Sequence, residues 1–153
     1  MDKPDIIELL SSHEEAIGRL YFAYSEKFPL YSEFWTTLAH EEQKHSAVII
    51  VLKTKVDAGK FSADMVKFKS ELLKTMITYM EKELSKVDSG GLSLIQALSI
   101  ARDIERSMIE RKCFEVFEGD PAELAAVLKE MALETKRHIE KIELAWQENR
   151  GGL

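Results

Sequence analysis

The chain has 153 residues, 45% hydrophobic and 31% charged, a size and balance expected of one soluble domain, 1–153, with enough apolar side chains to offset the entropy lost on folding. Its net charge of −6 arises from acidic and basic residues interleaved along the whole sequence, which excludes the broad basic surface that sequence-independent nucleic-acid binding needs. The single Cys113 excludes an internal disulfide and any cysteine-based zinc or iron–sulfur centre, and the longest apolar run, Val48 to Leu52, is far shorter than the roughly 20 residues of a membrane span, so a cytoplasmic protein binding neither nucleic acid nor membrane is expected.

Helical spacing begins with Ile7, Leu10, Ile17, Tyr21, Tyr24 and Phe28, and Pro29 closes this first helix. A second stripe runs Trp35, Leu38, Ile49, Leu52 and Val56, with Ser32 as its expected cap and Gly59 as its stop; the short link makes the first two helices antiparallel neighbours. From about Ser62 to Val87 a third helix sets Met65, Phe68, Leu72, Leu73, Met76, Tyr79 and Met80 on its apolar side. Beyond Asp88-Ser89-Gly90-Gly91, a fourth carries Leu94, Leu98, Ala101, Met108 and Ile109 and is expected to end near Gly119-Asp120-Pro121. A fifth, with Pro121 in its first turn, carries Leu124, Val127, Leu128, Met131, Ile142 and Ala145 and frays from Asn149 to Gly152. The architecture is two helical hairpins joined through one extra helix, a connection long enough to let the second hairpin cross over and dock on the first.

Polar residues interrupt four of these stripes near mid-length. Glu14 fills the gap between Leu10 and Ile17, Glu42 and His45 the gap between Leu38 and Ile49, and Glu105 the gap between Ala101 and Met108. In the fifth helix the gap between Met131 and Ile142 holds His138 and either Glu134 or Thr135. Glu42 and His45, three apart, lie one turn apart on one face, a chelating spacing. One buried carboxylate is costly, so four helices each contributing polar groups at similar depth make sense mainly around a shared cation, and oxygen and imidazole donors together suit iron, manganese or zinc. Glu14 also precedes His45 by nearly the same distance as Glu105 precedes His138, a weak internal repeat in which each pair spans one hairpin.

On Glu14 followed by Leu20-Tyr21, and on Leu38-Ala39-His40-Glu41-Glu42-Gln43-Lys44-His45, the chain resembles over nearly its whole length the rubrerythrin-like branch of the ferritin-like di-iron carboxylate proteins. The resemblance implies an all-α, ferritin-like four-helix bundle built from two helical hairpins with an additional connecting helix, in which each hairpin gives a Glu from its first helix and a Glu-x-x-His from its second. Glu14, Glu42, His45, Glu105, Glu134 and His138 then stand as metal ligands, although Thr135 occupies the position three before His138 and Glu134 lies four before it. Rubrerythrins carry another acid one turn after the third-helix ligand, where this chain has Met108, and a four-cysteine rubredoxin-like domain, which one cysteine excludes.

The function so implied is a redox enzyme, of oxidase or peroxidase type, in which two iron ions reduce dioxygen or hydrogen peroxide with electrons from an external donor, in oxidant defence or iron handling. A homodimer is expected by the same likeness. Manganese, zinc or a single metal are the alternative cofactors, and the competing functions are metal binding, storage or sensing without turnover, or a metal-free helical scaffold retaining a degenerate site. His13 and His40 read as solvated or as outer partners of the ligands, Glu41, Glu110, Glu115 and Glu118 as solvated faces, and Tyr21, two turns after Glu14 on the same face, as a packing residue sooner than as a phenol hydrogen-bonded to a ligand.

Overall fold

Asp5 starts the first helix by accepting hydrogen bonds from the backbone N–H groups of Ile7 and Glu8, and α1 (Ile6–Lys27) follows. In the computed structural model, which describes residues 5–55 and 63–150, four further helices appear: α2 (Ser32–Lys55), α3 (Ala63–Ser85), α4 (Leu94–Glu110) and α5 (Ala122–Arg150). No strand occurs among the described residues, and no helix there is long and apolar enough to cross a membrane. Val56 and Gly59, expected to finish the second helix, lie outside the described residues.

The junctions depart from expectation where local hydrogen bonding replaces the anticipated signal. A 3-10 turn, Pro29–Tyr31, leads directly into α2, so Ser32 is already helical (φ −55°, ψ −46°), without the extended backbone of a capping residue. The fourth helix stops at Glu110, nine residues before Gly119, because Lys112 turns left-handed at φ 57°. Cys113 N–H then bonds Met108 O at 2.9 Å and Lys112 N–H bonds Ile109 O at 3.1 Å, the two bonds of a Schellman ending with Cys113 and Met108 buried beside it. A lysine stands where glycine is usual, which is why no stop was visible there. At its other end α4 is fixed by a capping box between Ser93 and Gln96.

Helix α1 packs along α2 on one side and against α3 on another, α4 packs on α5, and α5 closes against α2. Gly18 lets α1 approach α2 with Ala39 O and Glu42 Cβ just beyond it. Ile7, Leu10, Ile17, Leu38, Leu98, Leu128 and Ile142 meet in one core, with Trp35 wedged against Tyr21 and Tyr24 at ring separations of 5.4 and 4.9 Å. In α3 the buried face is Met65, Lys69, Leu73, Met76 and Met80, rotated from the expected stripe, so Phe68 and Tyr79 are exposed. Lys69 tolerates burial by donating from Nζ to Glu115 O at 2.7 Å, tying α3 to the loop after α4.

Candidate metal centre

Four helices deliver acids and imidazoles to one interior cluster. Burial is nearly complete for Glu14 (1% exposed), Glu42 (2%), Glu105 (0%) and His138 (2%), and His45 lies at the edge with 14%. Helical geometry accounts for the burial: each of these side chains occupies an inward register position of its helix's apolar stripe.

Glu42 stands at the centre. Its Oε2 lies 3.5 Å from His45 Nδ1, and its Oε1 lies 3.0 Å from His138 Nδ1, which is also 3.5 Å from Glu105 Oε1. Two groups of ligand atoms result, each within 4.8 Å of one another: Glu14, Glu42 and His45 in one, Glu42, Glu105 and His138 in the other. Glu42 belongs to both. The rings of His45 and His138 stack with centroids 6.2 Å apart, and Tyr21 donates from its hydroxyl to Glu105 Oε1 at 2.9 Å, so this phenol orients an acid as well as packing.

The cluster is electrostatically frustrated without a cation. Glu14 Oε2, Glu105 Oε2 and His138 Nδ1 are buried with no hydrogen-bond partner, the last being near two carboxylates but not aligned with either. Burial, reinforced by the charge of Glu42, holds the Glu14 carboxyl well above its ordinary range. Burial and the same neighbour push Glu105 up to about 7, with His138 and Tyr21 opposing. Burial acts the other way on His138, but the carboxylates of Glu105 and Glu42 outweigh it and raise the imidazole to about 11. Glu42 itself, which burial would raise, is held below the usual carboxylate range by His138, His45 and Glu14. Three carboxylates and two imidazoles, with Glu14 Oε2, Glu105 Oε2 and His138 Nδ1 left unpartnered, make a donor set of the kind that suits iron, manganese and zinc.

Not every expected ligand reaches this interior. Glu134, a quarter exposed, pairs with Arg137 and gathers with Glu41 around His138 on the cluster's outer side, while Thr135 takes the buried position three before His138. Sequence reasoning missed two residues. Glu41, read as solvated, bonds His138 Nε2; it lies off the apolar stripe of α2, and only the docking of α5 gives it a partner. His13, read as solvated or as an outer partner, is completely buried with Nδ1 3.9 Å from Glu14 Oε2 and neither ring nitrogen hydrogen-bonded, and burial pushes it down to about 4. The apolar Ile6 and Ile7 pair at the start of α1 signals a wide buried face that would have included it. His40 is exposed and rests edge-on against Phe22. Set against known proteins, the chain matches no family model, no curated protein sequence and no solved structure.

Proposed function

We propose that the chain is a metal-binding protein of the ferritin-like, di-iron carboxylate kind, similar in character to rubrerythrins, and that it reduces hydrogen peroxide or dioxygen with electrons from an external donor. One observation carries the reading: Glu42, buried, turns one oxygen toward His45 and the other toward His138, the disposition of a carboxylate shared by two cations. Glu14 and His45 would hold one ion, Glu105 and His138 the other. Bound iron would supply the change of oxidation state that lets the site accept and pass on electrons.

The chain's own groups prepare that chemistry. Tyr21 holds Glu105 in place, and its phenol, raised well above its ordinary value by burial and the nearby acids, stays protonated as a donor. Trp35, Leu38 and Ala101, all fully buried, belong to the apolar core that keeps the low-dielectric surroundings in which buried charges act strongly. The edge position of His45 leaves one side of the cluster close to solvent, a route for a small oxidant.

Thr135 favours a second reading, binding or storage of one ion without turnover, because it leaves the α4–α5 half with a single interior acid. Protein purified without oxygen separates these readings. Two irons per chain with fast, repeatable oxidation by peroxide when a donor is present support the enzyme; one iron with a single slow oxidation supports the carrier; absence of metal supports a scaffold and ends both.

A further inference from the structure

We propose that Glu41, Glu134 and the outward nitrogen of His138 form a second, outer site that takes up a divalent cation and passes it to the buried cluster. The proposal rests on the reading of that cluster as a metal centre. One ligand atom from each of the three residues lies within 4.8 Å of the others, a donor set of two carboxylates and an imidazole suited to ferrous, manganous or zinc ions. Exposure falls inward across the set, from Glu41 at 37% through Glu134 at 24% to His138 at 2%, so a cation bound there would stand between solvent and interior.

His138 is the only residue common to this group and to the inner group with Glu42 and Glu105. Its Nε2 faces Glu41 and its Nδ1 faces Glu42. A neutral imidazole offers one lone pair at a time, so a cation on Nε2 and a cation on Nδ1 use the same ring alternately, as a handover requires and static double occupancy does not. One outer acid already holds a positive group: the Arg137 guanidinium, itself 62% exposed, sits on Glu134. Glu41 has a further role in any case, since a carboxylate on the far nitrogen of a ligating histidine fixes the ring's orientation. Glu134 has no such bond to His138, which makes it the residue that separates a binding site from mere support of the ring.

The test uses the full chain, freed of metal, mixed rapidly with cobalt(II) chloride while the visible absorption of bound cobalt is followed. A site that binds before transfer makes the uptake rate saturate with cobalt concentration. Glu134→Gln, nearly isosteric and outside the inner groups, is expected to raise the half-saturating concentration at least about tenfold, since loss of a ligand costs no less than loss of a supporting partner, with the final amount of bound cobalt unchanged. Arg137→Gln is expected to lower it. A strictly linear rate in the unaltered protein, or the same half-saturation in Glu134→Gln, overturns the outer site while leaving the inner one standing. No cobalt uptake at all by the unaltered protein overturns both.

Discussion

The α1–α2 half of the cluster and the α4–α5 half solve the same problem with different means. The first supplies two interior acids, Glu14 and Glu42, and a histidine at the edge that touches one of them. The second supplies one interior acid, Glu105, and a histidine buried against three carboxylates, those of Glu41, Glu42 and Glu105. The first half is therefore richer in interior carboxyl groups, and in the second the neighbouring acids push the His138 imidazole up, toward its protonated form. On the proposed function, a histidine so placed must lose its proton before it can coordinate.

Glu42→Gln breaks the comparison most, because it removes the residue both halves share. Metal affinity is expected to fall about tenfold or more, with both ions affected; elemental analysis that still finds two tightly held ions would show that Glu42 is not shared. Next comes the pair His138→Gln and His45→Ala. Loss of His138 strips a buried counter-ion from Glu42 and is expected to cost about 3 kcal/mol in the metal-free protein. Loss of His45 is expected to lower metal content and to cost thermal stability only when metal is present. Equal destabilisation of the two metal-free variants in thermal melts would erase the asymmetry.

The pH response sharpens the same contrast. His138, ordinarily near 6.5, is raised to about 11 in the fold, so the folded protein keeps a proton that the unfolded chain releases above 6.5; its contribution is fully present below 6.5 and is lost as pH rises toward 11. Glu105, raised from 4.5 to about 7, acts in the same direction below 7, while the opposing effect of Lys69, lowered by burial to about 8, begins only above that value. Between pH 6.5 and 8 the metal-free protein is therefore expected to lose up to about 1.4 kcal/mol per pH unit from His138. Denaturant titrations across that window should show the slope in the unaltered protein and its reduction in His138→Gln. Metal bound as proposed would displace these protons, so its stabilising effect should grow over the same range.

Thr135→Glu makes the halves more alike by adding an interior acid. It is expected to destabilise the metal-free protein by about 2 kcal/mol and to raise occupancy of the ion proposed at Glu105 and His138; unchanged occupancy in a metal titration would mean that the shortage of acid in this half does not limit binding. The smallest effect belongs to Lys112→Gly, which relieves the left-handed turn that ends α4. A gain of about 1 kcal/mol in a thermal melt is expected, with metal content unaltered.

Most of the apolar stripes were legible because a helix buries every third or fourth residue: Ile7, Leu10, Ile17, Leu38, Ile49, Leu98, Leu128 and Ile142 are all interior. The third helix was read a notch off, since Lys69 counts as polar in any pattern yet is buried once the carbonyl of Glu115 receives it. The end of α4 was misread because Lys112 adopts a conformation normally marked by glycine. Glu14, Glu42, His45, Glu105 and His138 were visible as polar interruptions, and they do meet. Glu134 and Thr135 could not be separated from spacing, because adjacent residues at the margin of a stripe differ by only about 100° around the helix. The rotation of α5 against α2 buried Thr135 and left Glu134 outside.

The sequence by itself determined the all-helical class, most of the residues that turn inward, and the chemical kinds of donor brought to mid-bundle, since all three follow from periodicity within single helices. Only the tertiary structure decided which oxygen of Glu42 faces which histidine, that Glu41 grips the far side of His138, and that His13 is sealed away from water. Those facts belong to pairs of helices far apart in the chain, and contact between them depends on how each helix rotates and slides when the cores interlock, which no repeat along one helix encodes.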